Sequence, residues 1–146
     1  MAAKVNPLST NEAAFGGFTV KCAINATDDF SATAGTSATI TLLTLGAGHV
    51  IRGMAYKVAE NLTGASLTNA TLSLGINGTT NTFVSAADIN QTSQATYGIS
   101  TTALAINTTS TVSAHIITTG ANHTALTAGK IEVFIDVVDL SKVQTT

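Results

Sequence analysis

Between Glu60 and Lys130 this chain carries one ionised side chain, Asp88, in a stretch of 69 residues otherwise crowded with Thr, Ser, Asn, Ala and Gly. No part of it is an uninterrupted apolar run of the roughly 18–20 residues that a membrane-spanning helix needs. It also lacks the ionic side chains of an ordinary solvated surface. Within and around it, apolar residues recur at every second position, the period of a strand with one buried face. The polar half of each alternation is hydroxyl or amide. Thr, at 27 of 146 residues, has a branched Cβ that packs well on a pleated sheet. The stretch therefore folds as β-structure with neutral outer faces, a surface suited to packing against neighbours.

A chain of 146 residues fits one domain, and a domain of that size buries roughly 70% of the surface its unfolded chain exposes. It needs no disulfide or metal staple. With 45% apolar and 10% charged residues it is not disordered by charge. The net charge of −2 and the scattered basic residues Lys4, Lys21, Arg52, Lys57, Lys130 and Lys142 form no phosphate-tracking stripe, which argues against nucleic acid or a membrane surface as partner. The N-terminal segment has no continuous apolar core of the secretory kind. Seven Asn residues stand in N-x-S/T sequons, a consequence of Thr abundance, and glycosylation is not expected.

Residues 1–17 show no clean period and end in Gly16-Gly17, so they read as an N-terminal arm, with a β domain over 18–146. Phe18, Val20, Cys22 and Ile24 alternate with Thr19, Lys21 and Ala23 as a half-buried strand, followed by a loop over 28–37. Strands are expected over 39–45 and 50–58, joined by Gly46-Ala47-Gly48-His49. On the second of these, Val50, Met54, Tyr56 and Val58 share a face, and Arg52 falls on it, where it must snorkel, pair or mark an edge. A loop over 61–68, broken at Gly64, leads to a strand over 70–76. Asn77-Gly78 is a strong hairpin signal, returning as 79–84. Ser85 to Asp88 has the form of a capped helical turn. Strands over 102–107 and 111–119, a loop over 120–129 and a final strand over 130–140 complete the pattern. On the last, Ile131, Val133, Ile135 and Val137 face the core, while Phe134 and Val138 stand outward beside Glu132 and Asp136. Seven to nine strands without a long helical period make an all-β, antiparallel sandwich, jelly-roll-like or immunoglobulin-like.

No residue set announces chemistry. His49, His115 and His123 lack paired spacing, whereas zinc wants three or four convergent ligands. Asp28-Asp29 offers too few oxygens for calcium. There is no Gly-x-Ser-x-Gly elbow and no glycine-rich phosphate loop. Lone Cys22 lies in an alternating run and reads as a small buried hydrophobe. No catalytic residue, cofactor or metal site is expected, and a hydrolase with a cryptic carboxylate pair is the weakest option. The outward Phe134 and Val138, with Phe15 in the arm, are the expected contact residues.

From Gly48 to Asp88 the chain runs through Gly48-His49-Val50-Ile51, Thr63-Gly64, Leu72-Ser73-Leu74-Gly75, Phe83-Val84 and Ala87-Asp88. This order, with the closing segment 126–140, resembles structural proteins of tailed-bacteriophage particles. The resemblance implies a non-enzymatic β-sandwich in the virion, decorating or cementing the capsid. Homo-oligomerisation, plausibly as a trimer, and contact with the major capsid protein or other virion proteins go with it. A fibre or adhesin module that binds surface glycan through loops 61–68 and 120–129 is the alternative.

Overall fold

The computed structural model describes residues 4–6, 18–30, 34–90 and 97–142. Alternation becomes strand throughout: β1 Lys4–Asn6, β2 Val20–Asn25, β3 Ser37–Leu45, β4 His49–Gly64, β5 Asn69–Ile76, β6 Thr79–Asp88, β7 Tyr97–Ser100, β8 Leu104–Ile106, β9 Ser110–Thr119 and β10 Leu126–Asp139. One helical turn, α1, spans Ala26–Asp29. The six-stranded sheet runs β1-β2-β10-β4-β7, with β8 also on β4, and the four-stranded sheet runs β3-β9-β5-β6. All pairings are antiparallel. From β2 onward the chain changes sheet at each connection except the β5–β6 hairpin and the short β7–β8 link. That alternation makes the sandwich a jelly roll, two sheets wound together so that most sequence neighbours face each other across the core.

The core is the inner half of every alternation. Ile24, Ile51, Met54, Ile131, Val133 and Ile135 from one sheet meet Ile40, Leu72, Leu74, Val112, Ala114 and Ile116 from the other, and all are at most 1% exposed. Branched aliphatic side chains with few rotamers dominate, so the layers interdigitate with little loss of side-chain freedom. Phe30 seals one end, placed there by α1, whose Asp29 accepts a hydrogen bond from the Asn25 N–H at 2.8 Å. The segment read as loop from Asp28 thus begins inside a short helical turn.

Arg52 departs from the expected phase for a definite reason. On β10, Asp136 pairs with Gly53 and the next residue, Val137, pairs with Ile51, leaving Arg52 unpaired as a bulge. The extra residue flips the alternation, so Ile51 joins Met54, Tyr56 and Val58 in the core. Arg52 reaches solvent and meets Asp136 Oδ1 at 3.0 Å. A second bulge replaces the helical turn expected over 85–88. There β6 remains strand to Asp88 while Ala86 takes φ of 45°, and its N–H donates to Ser73 Oγ at 2.9 Å. The loop expected from Asn61 begins only after Gly64, the last residue of β4, whose carbonyl accepts from Leu67 N–H at 3.2 Å. Gly64 also lies against the Ala125 carbonyl, where a Cβ would come within 2.8 Å, so the glycine serves close approach as well as the turn.

The Asn77-Gly78 hairpin forms as expected, both residues at positive φ, as a two-residue turn of this type requires. The Asn77 side chain also accepts from Thr111 N–H at 2.9 Å and donates to Ser110 Oγ at 2.9 Å, tying the hairpin to β9. Lys4–Asn6, within the segment read as an arm, pairs with β2 in the register Val5 to Cys22.

At Gly75 an added Cβ would overlap the Thr79 carbonyl, which is backbone and cannot swing away. Gly75→Ala is expected to destabilise by on the order of 3 kcal/mol. Gly46→Ala meets open space and should shift the urea midpoint little; equal midpoints for the two variants would contradict the packing described.

Candidate functional site

The sandwich presents two outer faces of different chemistry. The strands of the six-stranded sheet hold Lys4, Lys21, Arg52, Lys57, Glu60, Lys130, Glu132, Asp136 and Asp139; those of the four-stranded sheet hold Asp88 alone. The charge-poor stretch of the sequence thus builds β5, β6 and β9 of the four-stranded sheet and the short β7 and β8 at one edge of the other, and β3, also without charge, completes the four-stranded sheet.

The outer face of the four-stranded sheet is a neutral lattice. In successive cross-strand rows, Thr41, Ser113 and Gly75 align, the last two buried with the Thr79 backbone against Gly75, then Thr39, His115 and Ser73, then Ser37, Ile117 and Thr71. His115 stands at the centre with Nδ1 at 3.0 Å from Thr39 Oγ1 and Nε2 at 3.4 Å from Ser37 Oγ. An imidazole against a hydroxyl is the beginning of a nucleophilic pair, but the group orienting this ring is a second neutral hydroxyl. Nucleophilic catalysis wants a carboxylate or similar group in that place. Ile117, 43% exposed, is the face's protruding apolar side chain.

The outer face of the six-stranded sheet carries an apolar groove of about 610 Å³ between Phe18, Ala55, Ile99 and Phe134, with Lys57 at its wall. Register places it: Phe134 lies opposite Ala55 on β4, and Ala55 lies opposite Ile99 on β7. Phe18 leans on Phe134 with ring centroids 6.0 Å apart. Gly98 is required beside it, because a Cβ there would run into the Tyr56 ring. The structure therefore puts Phe134 in a groove whose other walls, Phe18 and Ile99, sequence reading did not single out. Strand β7 is only four residues long, and its one visible signal is Ile99 between Gly98 and Ser100. Val138 is half-buried opposite Val50, two alternations further along β10. Phe15 lies outside the described residues.

The remaining titratable groups sit apart. Cys22 is fully buried and burial pushes its thiol up to about 11, so it is no nucleophile at neutral pH. His49 Nδ1 faces the Gly46 carbonyl at 2.9 Å and its Nε2 is 3.9 Å from Asp139. Asp139 accepts from the Ser141 hydroxyl and N–H and pairs with Lys142 at 3.3 Å; the Ser141 hydrogen bond is the main cause holding its carboxyl below the ordinary range. Ser141 is thus bonded to a carboxylate rather than to an imidazole. Among the described residues no three His, Cys, Asp or Glu side chains converge on a metal position. The two loops weighed for glycan meet at one end of the sandwich, where Thr68 N–H donates to Thr119 O at 2.9 Å.

His123 is 1% exposed, stacks on Phe30 at 5.1 Å, and neither ring nitrogen has a hydrogen-bond partner among the described residues. Burial, followed by the neighbouring His115, lowers its pKa below the ordinary 6.5.

No protein-family model and no curated protein matches the chain. Solved structures do. A chain of the cyanophage Pam1 capsid asymmetric unit is similar at TM-score 0.54 and 19% identity, over 80% of this chain and 79% of that one. Weaker likenesses are a chain of the Helicobacter pylori bacteriophage KHP30 capsid, at TM-score 0.42 and 16% identity over 81% and 96% of the two chains, and a CBM4 structure, at 0.29 and 12% over 93% and 89%. The Pam1 likeness is one of fold.

The buried imidazole makes stability depend on pH. Because the folded-state pKa is depressed, the unfolded chain binds the proton first, so stability is complete above about pH 6.5 and declines as pH falls through that value. His123→Phe removes both unpartnered nitrogens and should flatten the loss of stability between pH 7.5 and pH 5 in urea titrations. An unchanged slope would show that His123 is solvated.

Proposed function

We propose that the chain is a non-enzymatic structural protein of a bacteriophage particle, decorating or cementing its shell through the outer face of the four-stranded sheet. The observation that carries this reading is that face: four strands wide, lined by Thr and Ser, with Asp88 as the single charged residue of its strands. Taking an ion out of water is far more costly than taking out a hydroxyl that finds a partner. A hydroxyl both donates and accepts, so it can meet whichever group a neighbour offers. Thr and Ser are also short, so little rotamer freedom is lost when the face is covered. The solubility of an isolated domain would be served better by Lys and Glu at these positions.

The jelly-roll fold shared with a chain of the Pam1 capsid supports the reading, and so do the motifs from Gly48 to Asp88. Its partners are further copies of itself and other virion proteins, its place is the virion, and it uses no cofactor.

Antibody-gold labelling of purified particles is the direct test, with label expected on the particle surface in a regular array. Protein absent from particles would end the proposal. Ile117→Lys sets an unpaired ammonium on the face between Ser37 and Thr71. Losing about 3 kcal/mol per contact, or roughly a hundredfold in affinity, it should drop out of particles when co-produced with wild-type protein, while circular dichroism shows an intact fold.

A further inference from the structure

We infer that β7 is a self-pairing edge: two copies of the chain join antiparallel through Tyr97–Ser100, about a two-fold axis at Ile99, merging their six-stranded sheets and the apolar grooves beside them. Strand β7 ends the sheet path and pairs with β4 alone, so among the described residues its other side presents unpaired N–H and C=O groups. Such a row is a template for another strand, and folded proteins blunt it with charge, proline or a bulge.

The other edges are short or blunted: β8, which continues this edge along β4, is only three residues long. Strand β1 is three residues long and carries Lys4. Strand β6 is bent by two register shifts and ends in Asp88. Strand β3 is bulged at Leu42 and exposes no large apolar side chain. Strand β7 has unbroken register with β4, no charge and no proline. In place of a gatekeeper it carries Ile99, 71% exposed and the most exposed large apolar side chain among the described residues.

The occupant this edge fits is a second copy. A two-fold axis normal to the sheet sets Ile99 of one copy beside Ile99 of the other on the same outer face. The stripe formed by Phe18, Phe134, Ala55 and Ile99 then continues across both molecules. Charge permits it. With Ile99 on the axis, Tyr97 aligns with the second copy's Thr101, so the two Lys57 side chains, each opposite its own Tyr97, lie at opposite ends of the joint. Each then faces the exposed, neutral Thr101 and Thr102 of the other copy. An isologous contact of this kind closes on itself and cannot run on into a filament.

A four-residue ladder with one apolar groove lies below the roughly 1,200 Å² of a standard interface, so the isolated pair should dissociate in the micromolar range and tighten only where copies are also held elsewhere. The pairing specifies one of the self-contacts expected under the function proposed above, yet it uses the opposite sheet, so the two can fail separately.

Sedimentation equilibrium from about 1 µM to about 1 mM should show a monomer–dimer equilibrium. Ile99→Lys should weaken it at least tenfold, and Ile117→Lys, on the far sheet, should leave it unchanged even where it abolishes incorporation into particles. Ile99→Cys should oxidise readily to a disulfide-linked dimer, while Thr119→Cys on the four-stranded sheet should not; the native Cys22 is fully buried and gives no background. Both substituted side chains are exposed, so the variants fold. A chain that stays monomeric over the whole range overturns the inference, as does a dimer indifferent to Ile99→Lys. Equal cross-linking from the two cysteine positions, or a monomer that pairs only with a strand from a different protein, overturns it as well.

Discussion

The ladder between β4 and β10 is the interaction on which the remainder hangs. They are the two longest strands, paired from Leu126 with Gly64 at one end to Asp139 with His49 at the other. Strand β2 attaches to the free side of β10, and β7 and β8 share the free side of β4. The inner residues of this pair, among them Ile51, Met54, Ile131 and Ile135, form the floor onto which the four-stranded sheet packs. A slip of one residue in this register would turn that floor toward solvent. The bulge at Arg52, fastened by Asp136, and the His49–Asp139–Lys142 cluster at the chain's return help hold the register in place.

Much of this was legible in the sequence because a half-buried antiparallel strand writes its orientation in every second letter. Ile131, Val133 and Ile135, and likewise Val112, Ala114 and Ile116, show it plainly, and Asn77-Gly78 announced its hairpin. What stayed hidden belongs to pairings between distant segments. Arg52 shares the parity of Val50, Met54 and Tyr56 in the sequence; only the spacing of Asp136 and Val137 on a strand more than eighty residues away makes it the extra residue. Ser85 to Asp88 satisfies a helical cap locally, yet Ser73 across the hairpin claims the Ala86 N–H and keeps the segment in the sheet. Strand β7 is too short to show a period at all, and so the groove built on it could be half seen, through Phe134, but not placed.

The glycines divide along the same line. Gly78 was readable because a two-residue hairpin needs positive φ there. Gly64, Gly75 and Gly98 serve the approach of a carbonyl or a ring that lies elsewhere in the chain, and a sequence gives no local sign of that use. Glycine as a breaker and glycine as clearance look alike until the partner strand is known.

The separation of charge between the sheets has one more consequence. Ionic contacts are screened over about 8–10 Å at ordinary salt concentrations, whereas pairing between neutral hydroxyls is not. The six-stranded side, with its Lys, Arg, Glu and Asp, therefore responds to the ionic strength of the medium, and the four-stranded side is nearly deaf to it. A molecule built this way presents to solution two surfaces under different control: salt screens the charges of one and finds almost none to screen on the other.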